Sequence, residues 1–250
     1  MNRSINRIVV ANQKGGVGKS TFATMLASYM YFRENHQVVF IDGDYPQHST
    51  KKLRNRELER FKQDEDLMRA FSATGKEQIY PITNSQMVHV FERPAPDQPS
   101  TFEKASHPQI GADTIIIDTP GSVAIEGLGT ILQNVDSVVV PLEPEEMSLI
   151  STAEFLAALS RIGATGTNRQ VRTIAFWNKV RLRSHRDMIT SQNELFRKAG
   201  IHVLEHTVPY SVKMKRSETR STIFPIDFRS FDLSAFMNEL YQATQSDNHG

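Results

Sequence analysis

The sequence predicts an α/β fold, with a doubly wound, mostly parallel sheet and helices on both faces. Short apolar runs alternate with segments of helical periodicity, which is the pattern of right-handed βαβ units. One run, 114–117, is continuously apolar, as expected of a strand buried on both faces. The chain has 250 residues, no repeat and no evident linker, so we predict a single domain spanning 1–250.

The elements follow in order along the chain. β-Branched apolar runs predict strands, and apolar residues at helical spacing predict helices. Strands are expected at 7–12, 37–41, 114–117, 137–141, 171–177 and 203–208, with weaker candidates at 78–82 and 87–91. Helices are expected at 20–33, 50–71, 145–161, 185–199 and 232–244. Four prolines make 93–109 a Pro-rich loop, and 245–250 is expected to be a flexible tail.

The composition excludes several classes of function. The chain has no cysteine, which removes disulfides, thiol nucleophiles, iron–sulfur clusters and cysteine-ligated zinc. No apolar run approaches the roughly 18 residues of a membrane-spanning helix. The amino-terminal stretch reaches a glycine-lysine loop too soon for a secretory signal, so we expect a cytoplasmic protein.

A glycine-rich loop lies between the first predicted strand and the first predicted helix. Its glycines let the backbone wrap around phosphates, and the helix amino terminus behind it favours anions. Lys19 would reach the β- and γ-phosphates, and the Ser20 hydroxyl would ligate Mg²⁺. The strict pattern has glycine where this chain has Gln13, and the loop carries a second lysine, Lys14. The predicted nucleotide-binding residues of the loop are Gly15, Gly16, Val17, Gly18, Lys19, Ser20 and Thr21.

The stretch 14–21, KGGVGKST, resembles the deviant Walker A motif of the ParA/MinD ATPases. Two further segments match in order and spacing. Residues 41–47 resemble the switch I segment D-x-D-P-Q with one residue inserted, and 115–121 resemble Walker B and switch II. Pro209 and 224–226 resemble late landmarks of the family, with Phe224 in place of a glycine. The resemblance covers nearly the whole chain and implies a P-loop NTPase architecture that uses ATP and Mg²⁺.

The resemblance also implies catalytic roles. Lys14 matches the signature lysine, which reaches across a dimer interface to the partner's ATP and stabilises the transferring phosphoryl group as an arginine finger does. Asp44 matches the switch I aspartate that orients the attacking water. Asp118 would hold Mg²⁺ through water. Asp42 is a further candidate for the metal site, and capping of a helix or loop is the alternative interpretation.

The sequence also indicates whether the nucleotide carries adenine or guanine. The stretch 178–181 has the frame of the guanine-reading N-K-x-D motif, but Arg181 stands where an aspartate should accept a hydrogen bond. Arginine has no acceptor, so ATP is favoured over GTP. Asn178 is the predicted adenine contact, and Pro209 is included among the nucleotide-binding residues.

The charge is unevenly distributed. The window 171–220 carries a net charge of +7, whereas the whole chain is only +1. A segregated charge of this kind is a candidate footprint for a polyanion, and a solvated basic face is the alternative. The predicted DNA contacts are Arg181, Arg183, Arg186, Lys213, Lys215, Arg216 and Arg220.

These features favour a ParA-like ATPase over the other branches of the family. Such a protein forms a homodimer on ATP binding, binds DNA non-specifically in the nucleoid and responds to a ParB-like or cargo-adaptor protein. The segment after 42 resembles the ParA-type ATPases of conjugative transposons. Two alternatives stay open: a MinD-like membrane positioner, and an ATP-dependent small-molecule enzyme with 93–109 as a lid. Residues 232–244 contain no Lys or Arg, so we expect them to pack on the sheet rather than to bind a membrane.

Overall fold

The computed structural model describes residues 5–121, 125–166, 171–211 and 221–245. They contain one seven-stranded sheet in the order β3-β2-β4-β1-β5-β6-β7, and every pairing between neighbours is parallel. The predicted doubly wound parallel sheet is therefore confirmed. The strands are β1 (Asn6–Val10), β2 (Val38–Asp42), β3 (Ile82–Asn84), β4 (Thr114–Asp118), β5 (Ser137–Leu142), β6 (Arg172–Trp177) and β7 (His202–Val203).

Helices cover both faces of this sheet. A π-helical turn, Tyr29–Arg33, continues the first of them. The α-helices are α1 (Lys19–Ser28), α2 (Ser49–Phe61), α3 (Glu65–Ser72), α4 (Met87–Phe91), α5 (Thr101–Ala105), α6 (Ile125–Asn134), α7 (Glu146–Gly166), α8 (Leu182–Lys198) and α9 (Ser234–Thr244).

The alternation of side chains along the central strands creates two apolar layers. In β1, Ile8 and Val10 face α1 and α9, whereas Val9 faces the layer built with α4 to α8. The first layer contains the edge-to-face rings of Phe22, Phe176 and Phe236, whose centroids lie 4.6–5.7 Å apart. Helix α9 thus packs on the sheet as predicted. No helix in the described part of the chain is long and apolar enough to cross a membrane.

Several segments differ from the sequence-based prediction. The weak strand expected at 78–82 is β3 at Ile82–Asn84, and the strand expected at 203–208 is β7, which covers only His202–Val203. The weak strand at 87–91 is wrong, because this segment forms α4 and buries Val90 while Phe91 packs on Phe102. The predicted loop 93–109 contains α5, which Ser100 and Glu103 start with a capping box, and a 3-10 turn. Helix α6 was not predicted.

The predicted exposed helix 50–71 is two helices, and the first is anchored by a buried arginine. The two helices are separate because Asp64 lies between them in an extended conformation, where its carboxylate caps the amino terminus of α3. In α2, the Arg54 guanidinium donates to the carbonyls of Tyr80 and Thr222 and to the Thr222 hydroxyl, at 2.7–2.9 Å. It also lies 4.8 Å from the centroid of the Tyr80 ring. These bonds join α2 to the sheet edge and to the segment that begins at Ser221.

We predict that Arg54→Met lowers the free energy of unfolding by about 2–4 kcal/mol, because two buried carbonyls and a hydroxyl lose a charged donor. Urea unfolding measures the change. Arg56→Met is the matched control two positions along the same helix, where the side chain is exposed, and it should change stability by less than about 0.5 kcal/mol. Equal effects of the two substitutions would contradict the anchoring role of Arg54.

Candidate functional site

The phosphate loop lies at the carboxyl edge of the sheet, between β1 and α1. Its sharp turns need two glycines with positive φ, Gly16 at 76° and Gly18 at 105°. A Cβ on Gly18 would lie 2.8 Å from Nδ2 of Asn178, so the position also has no room for a side chain. The loop is therefore packed closely against the end of β6.

Two asparagines fix this loop to its neighbours. Asn178 follows β6 and donates from Nδ2 to the Val17 carbonyl at 2.9 Å. Asn12 donates to the Pro141 carbonyl at 2.8 Å and accepts from the Lys14 backbone N–H at 3.0 Å. Asn178, the predicted adenine contact, thus lies beside the phosphate loop, and its side-chain amide also holds the loop in place.

The two lysines of the loop have different surroundings. Lys19 is buried, and its Nζ donates to the Lys14 carbonyl at 2.9 Å. Burial lowers the pKa of Lys19, while the carboxylates of Asp118 and Asp44 oppose that shift. Lys19 is therefore held in the interior of the loop, close to the carboxylates of Asp118 and Asp44.

Lys14 instead extends to the acidic segment after β5. Its Nζ lies 2.6 Å from Oε2 of Glu145 and 3.7 Å from Oε2 of Glu143. Lys179 bonds the other oxygen of Glu143 at 2.9 Å and the Gly16 carbonyl at 3.0 Å. Sequence reasoning missed both glutamates. The available signal was their position directly after a buried strand, at the same edge as the loop.

Asp118 ends β4 next to Lys19 and is completely buried. Within the described residues, neither of its carboxylate oxygens has a hydrogen bond of normal geometry. Burial raises the pKa of Asp118 to about 7, and the nearby Ser20 hydroxyl acts in the opposite direction. A buried carboxylate without a partner, beside a serine hydroxyl, fits Mg²⁺, which prefers oxygen ligands.

Asp42 ends β2 in register with Asp118. Its Oδ2 accepts from the backbone N–H groups of Thr50 and Lys51, both at 3.0 Å, in the first turn of α2. Its Oδ1 accepts from the Asp44 N–H at 3.3 Å. This geometry favours the helix-capping alternative over the candidate metal ligand, because the carboxylate already has three backbone donors.

Asp44 is half-buried and lies close to Asp42, Lys19 and His48. Burial raises its pKa, Asp42 adds to that shift, and Lys19 and His48 oppose it. The intervening Gly43 has no space for a side chain, since a Cβ would lie 2.7 Å from the Asp118 carbonyl. This close approach brings switch I against the end of β4.

Comparison with known proteins identifies the family. The model of the CobQ/CobB/MinD/ParA nucleotide binding domain matches residues 8–223. The chain belongs to this family. It is 28% identical over 215 residues to the chromosome-partitioning ATPase Soj of Thermus thermophilus, which covers 84% of this chain and 83% of Soj. The predicted ParA/MinD-type ATPase is thus confirmed.

Two solved structures have a fold similar to that of this ParA/MinD-type ATPase. Apo McdA from Cyanothece has a TM-score of 0.61 and 17% identity, covering 96% of this chain and 100% of McdA. Cobyrinic acid a,c-diamide synthase from Mycobacterium smegmatis has a TM-score of 0.53 and 17% identity, covering 93% and 94%. The synthase was crystallised with an ATP analogue and magnesium.

The remaining predicted residues lie beyond the loop. Pro209 pairs with Val180 just after β6, and it is exposed at the same edge of the sheet as Asn178. Arg181 is placed over the ring of Tyr210, 4.5 Å from its centroid. Arg183 and Arg186 are exposed on the first turns of α8. Four predicted DNA contacts lie outside the described residues: Lys213, Lys215, Arg216 and Arg220.

We predict that Asp118→Asn changes how the stability of this ATPase depends on pH. The folded protein holds the Asp118 proton up to about pH 7, whereas the unfolded chain loses it near pH 3.8. Wild-type stability therefore falls as pH rises between these values. The asparagine variant lacks this loss, so relative to wild type it should gain about 2–3 kcal/mol between pH 5 and pH 8.

Urea unfolding at the two pH values, without nucleotide or Mg²⁺, measures this gain. Titrating groups distant from Asp118 cancel in the comparison, and Lys19, Asp42 and Asp44 are the neighbours whose titration the substitution also changes. An equal change in wild type and variant would show that Asp118 is ionised throughout this range.

Proposed function

We propose that the protein is a ParA-like ATPase that forms a homodimer around ATP, binds DNA non-specifically and releases it on hydrolysis, so that a DNA element or another cargo is positioned. One observation carries the proposal. Lys19 is buried inside the phosphate loop, whereas Lys14 leaves the loop and pairs with Glu145 at a part-exposed edge. A cation placed outward in this way suits a role in the active site of a second copy.

Each residue of the site has a chemical role in this proposal. The backbone of the loop and the Lys19 ammonium hold the phosphates, and the adenine lies beside Asn178 and Pro209. Ser20 and Asp118 hold Mg²⁺, which neutralises charge on the β- and γ-phosphates when bound. Asp44 orients the attacking water. Its raised pKa brings proton acceptance closer to neutral pH, as general-base assistance requires.

The dimer supplies the second cation. Lys14 of one protomer stabilises the charge on the transferring phosphoryl group in its partner, as an arginine finger does. Within a single chain, Glu145 and Glu143 hold Lys14. Hydrolysis therefore waits for a rearrangement in which Lys14 leaves these carboxylates, and this makes turnover depend on dimerisation.

The exposed arginines of α8 support DNA binding. Arg183 and Arg186 lie three residues apart, so they share one helix face. No carboxylate in the described part of the chain lies within 4 Å of either guanidinium. Cations of this kind contact phosphates, which provide affinity without sequence readout.

We predict that Lys14→Ala keeps ATP affinity within about threefold of wild type but lowers kcat by about 100-fold or more, because one transition-state cation is lost. A fluorescent ATP analogue measures binding, and phosphate release measures turnover. Lys62→Ala is the control, since this lysine is exposed and pairs with Glu59 at 3.0 Å. Normal turnover of Lys14→Ala would contradict the catalytic role.

We predict tight binding to a random-sequence DNA duplex with ATP and weak binding with ADP or without nucleotide. The affinity should fall steeply with salt, because phosphate contacts release counterions. Replacing both Arg183 and Arg186 by glutamine should reduce the slope of log K against log salt by about 2 in magnitude. The control Arg69→Gln removes an exposed arginine from α3 and should leave the slope unchanged.

Failure to bind DNA in every nucleotide state would exclude the DNA-scaffold role. Two alternatives would then be tested directly. Liposome co-sedimentation would indicate a MinD-like membrane positioner, and turnover that requires a metabolite would indicate a small-molecule enzyme on the same fold.

A further inference from the structure

A pocket of about 400 Å³ lies between α2, α3 and the segment that follows Ser221. Its apolar wall contains Leu53, Leu67, Phe224 and Ile226. This volume and this mainly apolar lining are typical of sites for small molecules. The pocket contains none of the residues assigned above to ATP, Mg²⁺ or DNA.

The pocket is separated from the phosphate loop by the length of α1. The Phe224 carbonyl accepts from the Ser28 hydroxyl, at the last residue of α1, whereas Lys19 is the first residue of that helix. Ten helical residues span about 15 Å. A ligand in the pocket therefore lies well away from the nucleotide phosphates.

Two acidic residues, Glu57 and Asp227, also line the pocket, and both are hydrogen-bonded to the segment that follows Ser221. Glu57 accepts from the N–H and the hydroxyl of Thr222, and Asp227 accepts from the N–H of Arg229. Both acids thus have donors in the segment that forms the wall. Neither carboxylate lies within 4 Å of an Arg56 or Arg60 guanidinium, although both add negative charge to the lining of the pocket.

The two arginines of the pocket have no such partners. Arg56 and Arg60 both line it, and they lie four residues apart on one face of α2. No carboxylate of the described residues approaches either guanidinium within 4 Å. Helix α2 as a whole carries a net charge of +3. The pocket therefore combines an apolar wall with two arginines that form no ion pair within the described residues, and with the carboxylates of Glu57 and Asp227, which are hydrogen-bonded to the facing segment.

The walls of the pocket are fixed in place. The Asp42 carboxylate caps the start of α2, and Arg54 binds Thr222 across the gap between α2 and the facing segment. Both walls are thus joined by buried polar contacts, and binding a ligand would require little ordering of the chain.

We propose that this pocket is a binding site for a small organic anion. The apolar body of the ligand packs on Leu53, Phe224 and Ile226, and its carboxylate, phosphate or sulfonate group is held by Arg56 and Arg60. Arginine suits this role because its planar guanidinium donates two parallel hydrogen bonds to such groups.

Two fluorescent probes of similar aromatic shape test the proposal. 1-Anilinonaphthalene-8-sulfonate carries an anionic group, and N-phenyl-1-naphthylamine lacks it. Each is titrated onto the full chain, with and without saturating ATP and Mg²⁺. We expect the sulfonate to bind saturably at one site, at least tenfold more tightly than the neutral probe, and to remain bound when ATP is added.

Paired double variants locate the site. Arg56→Gln/Arg60→Gln should weaken sulfonate binding at least tenfold and leave binding of the neutral probe within about twofold. Lys62→Gln/Arg69→Gln removes the same charge from exposed positions nearby that pair with other acids, and it should bind as wild type does. Circular dichroism checks that all variants are folded.

Three results would overturn the proposal: equal binding of the two probes, equal binding by the two double variants, or displacement of the sulfonate by ATP. The last result would place the probe in the nucleotide site. The test needs neither ATP hydrolysis nor DNA, so its outcome is independent of the proposed partition function.

Discussion

The register of three parallel strands is the constraint on which the site depends. Val10, Asp42 and Asp118 end β1, β2 and β4, and Asp118 pairs in register with both of the others. Because parallel strands end at one edge, two carboxylates meet there beside the phosphate loop that follows β1. Gly43 lets the backbone of switch I approach the Asp118 carbonyl, so a shift of β2 relative to β4 would displace Asp42 and Asp44 from Asp118 together.

The same edge separates its charges into an inner and an outer set. Asp118 and Lys19 are buried, and each has its pKa moved by burial toward the neutral form. Lys14 and the glutamates after β5 are nearer to solvent. The inner set suits phosphates and Mg²⁺, whose charges compensate the cost of burial. The outer set can exchange partners, which suits an interface that forms and breaks in a nucleotide cycle.

Local sequence signals predicted a parallel sheet, and the three motifs lie at one edge because each follows the carboxyl end of a strand and βαβ units make the strands parallel. The sequence-based predictions were wrong where contacts between residues far apart in the sequence determine the local structure. Residues 87–91 include the β-branched Val88 and Val90, yet they form a helix that buries Val90 against the core. The charged helix α2 was expected to be exposed, but Arg54 is buried by Thr222, which lies 168 residues away. The position of Glu145 after a buried strand indicated the edge at which it lies, but nothing in the local sequence indicated that it pairs with Lys14, which lies 131 residues away.

The central claim is that Lys14 acts across a dimer interface. The direct measurement is ATP turnover in an equimolar mixture of two inactive variants, Lys14→Ala and Asp44→Ala. In a mixed dimer, the site that keeps Asp44 receives Lys14 from its partner, so the mixture should recover up to about a quarter of wild-type turnover. A mixture no more active than its separate components would contradict the account, since Lys14 would then serve its own site.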